Sequence, residues 1–176
     1  RLEPSNFLLC IGVDEKSDNA HVVSRLANFI KTSGYSHIVY RSDQEPAIKT
    51  LFETVARNIG RDIEQLVPEA SAVGESQSNG KAESTVKLVE DKLKTYKSAL
   101  ETRIQCRIPS NSPVLRWMLE HVSSVHNRVI RNADGQTPFD AIHGQRWRGR
   151  MVELASKCSI LFRSACEPNS TLETGY

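Results

Sequence analysis

No run of about 18 apolar residues occurs in the 176 residues, and no charged, then apolar, then small-residue leader opens them, so neither a membrane span nor a signal peptide is expected. Cysteine is scarce and scattered. Cys10, Cys106, Cys158 and Cys166 form no CxxC pair and stand at no finger-like spacing from histidine. That argues against a zinc module within these residues and points to free, mostly buried thiols in a reducing compartment, inside the cell, nuclear or cytoplasmic. His21, His37, His121, His126 and His143 share no ligand spacing either, and packing or surface roles are expected for them. Internal repeats are missing. So is a strong net charge: 23 Lys and Arg face 21 Asp and Glu, leaving +2.

What is present suffices for one sizeable core, with 39% apolar and 25% charged residues. Charge is unevenly spread. Residues 81 to 150 hold 13 Lys and Arg against 7 Asp and Glu, an excess of +6. A polyanion docking on the later helices fits this excess, and so does an ordinary solvated surface.

Periodicity divides the chain into elements. Residues 7 to 13, FLLCIGV, form a short apolar run suited to a buried strand. After a DEKSDN turn, with Ser17 or Asp18 as cap, Ala20, Val23, Ala27 and Ile30 recur at helical spacing, and Gly34 stops the helix. HIVY, 37 to 40, reads as a strand. Pro46 then opens a helix with Ile48, Leu51, Phe52, Val55 and Ile59 on one face, ended by Gly60. This strand and helix alternation predicts an α/β layer structure with its site at strand ends. A long helix is expected from residue 79 to about Leu100, preceded by a loop of small and polar residues. Another is expected from Pro113 to about Arg131, with Trp117, His121, Val125 and Met118 inward, and a short one capped by Thr137. Cys158 to Arg163 reads as a strand, and EPNSTLETGY as a disordered tail.

Two carboxylates stand out by position. Taken singly, Asp43 after a strand is an ordinary turn former or cap. Glu83, in the expected first turn of the long helix, suits the helix dipole and an ion pair with Lys87. The strings around them say more. HIVYRSDQEPA followed by SQSNGKAESTVKLVEDKL resembles the catalytic core of retroviral and retrotransposon integrases, in which an acid of an (S/T)D motif follows a strand and a Glu of an NGxxE-like motif opens a long helix. Asp43 and Glu83 match these two acids, with 39 residues between them. HNRVIRNADGQTPFDAIHG is similar to the family's N…GxTPxE region, with Asp140 where Glu is common. The resemblance covers roughly residues 7 to 165.

The resemblance implies an α/β, RNase H-like core with an incomplete sheet, whose first and third strands are missing, and a helix-rich C-terminal part. Residues 1 to 104 would be the N-terminally truncated core, 105 to 150 its helical extension, and 151 to 176 a short strand and disordered tail. It implies polynucleotidyl transfer, 3′ end trimming and strand transfer, on element ends and target DNA. Asp43 and Glu83 would be the catalytic ligands of Mg²⁺ or Mn²⁺, since hard oxygen donors suit such ions and two of them serve in-line displacement at phosphorus. Gln77, Asn79 and Lys81 would touch a DNA end, with Lys87 and Lys94 along the helix; Glu90 stands where the family tends to carry a second Lys. A homo-oligomer is implied for the full-length protein.

The family's first acid has no counterpart. VDEKS, 13 to 17, matches the turn after the second strand, so Asp14 belongs to that turn, the first acid falls before Arg1, and nothing around Glu3 matches the motif. The chain alone is therefore expected to be inactive. The alternative is a non-catalytic nucleic-acid-binding or interaction module descended from the same fold.

Overall fold

A computed structural model describes residues 1–13, 19–42, 45–60, 63–69, 76–151 and 167–168, and for 76–79 and 167–168 the backbone alone. Helix α1 runs Ala20–Thr32 and α2 Pro46–Ile59; between them lies strand β1, His37–Tyr40, and after them β2, Gln65–Pro68. Asn19 caps α1, its side chain accepting from the His21 N–H, one residue on from Asp18 and two from Ser17, the expected caps. Pro46 opens α2 and Gly60 closes it at φ 61, as expected from their types.

Strands β1 and β2 pair in parallel, His37 with Gln65 through Tyr40 with Pro68. Strand β2 was not expected from sequence. Its QLVP run is too short and too polar to show alternation, and Pro68 disguises it, yet Pro is tolerated at a strand end where no ladder donor is needed. The chain is thus mixed α/β, helix-rich, with a small parallel sheet. One sheet face packs on α1 and α2, where Val23, Ala27, Ile30, Val55, Ile59 and Ile63 form a core with Ile38 and Leu66 at its border. The other face is bare, with Val39 at 65% and its register partner Val67 at 45% exposure. Parallel strands are ordinarily covered on both faces.

The second half is built on α3, Ser76–Ile104, and α4, Pro113–Val129. Leu100, Ile108 and Met118 are buried between them, with Leu93, Tyr96 and Ile104 alongside. Among the described residues the expected single core divides into two clusters. The inward face of α4 is Met118 and Val122, each fully buried, whereas Trp117 is 45% exposed and stacks on His121 at 5.9 Å. A helix narrow in apolar residues has to choose one stripe, and Met118, Val122 and His126 at steps of four make the tighter one.

Helix α5, Pro138–His143, begins with a reciprocal cap: Thr137 Oγ1 accepts from the Asp140 N–H, and Asp140 Oδ2 accepts from the Thr137 N–H. The TPFD string thus has a helix-capping role. Strand β3, Cys106–Arg107, pairs antiparallel with β4, Glu167–Pro168. That gives two residues of the expected disordered tail a strand pairing. The expected strand from Cys158 to Arg163 lies outside the described residues.

The apolar run at 7 to 13 is not a strand. Its single ladder contact is a bridge between Leu2 and Phe7. Its backbone is satisfied otherwise: Asn127 on α4 accepts the Leu8 N–H at 2.8 Å and donates to the Leu8 carbonyl at 2.7 Å, both groups buried. Further along, Gly12 lies so close to Arg116 that a Cβ there would sit 2.7 Å from the Arg116 Cβ. The segment therefore runs antiparallel along α4 with no room for a side chain at residue 12. Phe7 stacks on Phe29 of α1 at 5.4 Å and meets His143 of α5 edge-on. With Arg25 bonded to Glu120 at 3.0 Å, these contacts join the two clusters.

Asn127→Ala is expected to cost about 2–3 kcal/mol, because it strips a buried N–H and a buried carbonyl of their partners at once; urea denaturation measures it, and a loss below the error of extrapolation would contradict the role given to Asn127. His126 is 7% exposed, its Nδ1 has no hydrogen-bond partner, and burial holds its pKa below the ordinary 6.5. The folded state binds fewer protons than the unfolded one, so stability is full above pH 6.5 and falls as the pH drops below it. His126→Phe is expected to flatten that slope in melting curves taken between pH 7 and 5.

Candidate functional site

Helix α3 starts at Ser76, so Glu83 is its eighth residue, two turns in, and not in the first turn as expected. The small-residue stretch before it is helical from Ser76 onward because no Pro interrupts it and a single Gly is too weak a breaker to hold the helix back. At Gly80 an added Cβ would meet nothing within 4 Å, so the position is open space and needs no glycine for packing.

Helical phase sorts the candidate residues. Glu83, Lys87, Glu90, Lys94 and Lys97 fall within one stripe at steps of three and four. Glu83, Lys87 and Lys94 are all exposed. Neither Glu83 nor Lys87 has an ion-pair partner among the described residues, so the expected i to i+4 pair does not form. Lys97 does pair within its helix, with Glu101 at 3.7 Å.

Lys81 belongs to the opposite side of α3. Its Nζ donates to Glu3 Oε2 at 2.9 Å, and Arg1 Nη2 donates to Glu3 Oε1 at 2.8 Å. These bonds, Arg1's first and then Lys81's, hold the Glu3 carboxyl at about 2 against an ordinary 4.5. On this side Ser84, Thr85 and Leu88 line a cleft of about 310 Å³ with Leu8, His126 and Ile130. The cleft and the Glu83 stripe therefore lie on different faces of α3, with the N-terminal segment docked on the cleft side.

Asp43 lies outside the described residues, as do the side chains of Gln77 and Asn79. What precedes Asp43 is described. Arg41, just past β1, donates from Nη2 to Glu69 Oε1 at 2.9 Å and from Nε to the other oxygen, and Glu69 stands just past β2. The ends of both strands are thus clamped side by side, and the Glu69 N–H extends the ladder to the Tyr40 carbonyl at 2.9 Å. Arg41 also keeps the Glu69 carboxyl below its usual range. Sequence reading missed this clamp, since two charges 28 residues apart carry no local signal.

Among the described residues no three His, Cys, Asp or Glu side chains gather closely enough to hold a metal ion. Glu83 is the one described member of the expected acid pair. It is a hard oxygen donor, exposed and without an ion-pair partner among the described residues, and suits Mg²⁺ as a single protein ligand among waters and phosphates. No protein-family model matches the chain, and no curated protein matches it in sequence.

Two outcomes follow from this geometry. Gly80→Ala is expected to raise stability by about 0.5–1 kcal/mol, since the helix gains a better former in open space; a lowered Tm would show that residue 80 is not in an unstrained helix. Glu3 has its pKa lowered on folding, so its contribution is present above pH 4.5 and lost as pH falls toward 2. Glu3→Gln should therefore lower stability at pH 7 by less than about 1 kcal/mol, as exposed pairs do, and the gap from the unsubstituted protein should close in acid melts.

Proposed function

We propose that this chain is the catalytic-core region of an integrase of the retroviral and retrotransposon kind, with an RNase H-like fold, acting on element DNA ends and on target DNA. The observation that carries the reading is the order of elements around the two acids. Asp43 follows β1 by three residues in sequence, α2 crosses over, β2 lies parallel beside β1, and the next element is the long helix that carries Glu83. Parallel α/β units present their sites beyond the carboxyl ends of their strands, and Asp43 follows the carboxyl end of β1 in sequence. The motif strings SDQEPA and NGKAE fall at those two points of this order.

Within this reading Asp43 and Glu83 are the ligands of Mg²⁺ or Mn²⁺, an ion that when bound would steady charge on the attacking and leaving oxygens of a phosphodiester. Glu83 contributes an unpaired carboxylate on the open face of α3. Lys87, one turn beyond it, and Lys94, a further two turns on, offer cations to phosphates passing along the same stripe. Gln77, Asn79 and Lys81 precede Glu83 at the DNA end, with Lys81 having to exchange Glu3 for a phosphate. Assembly as a homo-oligomer and work on DNA inside the cell belong to the same reading. No residue of the chain matches the family's first acid, so the reading expects metal and DNA binding from the chain alone and no turnover.

A second reading, a nucleic-acid-binding module without catalysis, is favoured by the +6 excess over residues 81 to 150. It requires binding indifferent to both acids. Mn²⁺ titration followed by water-proton relaxation separates the two. Asp43→Asn and Glu83→Gln are each expected to weaken Mn²⁺ binding, and both together to remove it. Unchanged binding in both variants would sink the metal site and leave the module.

A further inference from the structure

From Ala141 to Met151 the chain carries Arg146, Arg148 and Arg150 and no Asp or Glu. All three arginines are exposed, and none has an ion-pair partner among the described residues. An arginine run of this kind is often only a solvated stretch. Here the loop that carries it is pinned. Gly144 closes α5 in the left-handed region at φ 64. The Trp147 N–H donates to Asp140 Oδ1 at 3.4 Å. The indole takes the Arg128 guanidinium at 4.6 Å from its ring centre and meets Phe139 edge-on at 5.4 Å. A Cβ on Gly149 would lie 2.3 Å from Trp147 Cζ2, so the chain folds back against the indole where residue 149 has no side chain. Arg148 is thereby held between two anchored residues, with Arg146 and Arg150 flanking them.

Three guanidinium groups close together on a fixed loop, none of them ion-paired among the described residues, repel one another, an arrangement relieved by a partner that brings several negative charges at close spacing. Guanidinium binds phosphate oxygens in a bidentate way and is less strongly hydrated than ammonium, which suits it to a phosphodiester chain. We propose that the loop 144–150 is a nucleic-acid backbone contact, separate from the Glu83 stripe, in which Arg146, Arg148 and Arg150 neutralise consecutive phosphates while Trp147 serves as the anchor. The choice of nucleic acid among polyanions rests on the proposed function; the charge and the pinning of the loop do not.

The test is the salt dependence of binding to a short duplex DNA of mixed sequence, followed by fluorescence anisotropy with the whole chain. Each neutralised phosphate contributes a slope of about −0.9 in log affinity against log salt, so R146A/R148A/R150A is expected to flatten the slope by roughly 2–3. The variant R146K/R148K/R150K should keep most of the slope. Circular dichroism checks that each variant is folded, and Gly149→Ala, which displaces the indole, should weaken binding with all three arginines intact. An unchanged slope in the triple alanine variant overturns this inference while leaving the proposed function standing. Failure of the unsubstituted chain to bind DNA at low salt overturns both, and equal affinity for polyglutamate or for anionic vesicles overturns the assignment to nucleic acid.

Discussion

The amide of Asn127 holds the molecule together. It reaches from α4 to give Leu8 both a donor and an acceptor, and the groups it serves, the Leu8 N–H and carbonyl, are buried. Without that pair two backbone groups would be left dry, and orphaned groups of this kind cost more than a formed bond returns. Leu8 fixed on α4 brings Phe7 against Phe29 on α1, and so the α1, α2 and sheet cluster is tied to the α3 and α4 cluster. The same docking carries Glu3 to Lys81 at the start of α3.

This arrangement orients the candidate site. Because Lys81, Ser84, Thr85 and Leu88 are turned toward the N-terminal segment, the stripe with Glu83, Lys87 and Lys94 is left facing solvent. Helical phase makes the two faces exclusive, and no side-chain movement exchanges them. Charge follows the same division: Lys81 is paired with Glu3, and Lys87 and Lys94 have no ion-pair partner among the described residues. The arginine loop at 144–150 repeats the pattern, with Arg128 spent on Ser124 and two aromatic rings and the outer three arginines without an ion-pair partner among the described residues.

The helices were legible in the sequence because their stop and start residues act locally. Pro46 and Gly60 bound α2, Pro113 opens α4, and Thr137 with Pro138 opens α5, each through its own backbone chemistry. The strand at 37 to 40 was legible from its β-prone residues. What escaped was decided at long range. FLLCIGV has the composition of a buried strand, and lies along α4 because Asn127, 119 residues from Leu8, takes its hydrogen bonds. Strand β2 exists through its pairing with β1, and Trp117 is outward because Met118 and Val122 fill the core better. Glu83 was found by its neighbours NGK and A, and its depth in the helix was missed because the small residues before it resemble a loop. QRWRGR was visible as part of the basic excess, but the contacts of Trp147 with Asp140, Arg128, Phe139 and Gly149 are what distinguish it from a solvated run.

The central claim is that Asp43 and Glu83 form one site. Anomalous diffraction from crystals of the chain soaked in Mn²⁺ tests it most directly. The account predicts manganese bound by one or both carboxylates, with the two side chains close enough to flank a pair of ions about 3.5–4 Å apart. Carboxylates on different faces of the molecule, well over about 10 Å apart and too distant to flank such a pair, would contradict it.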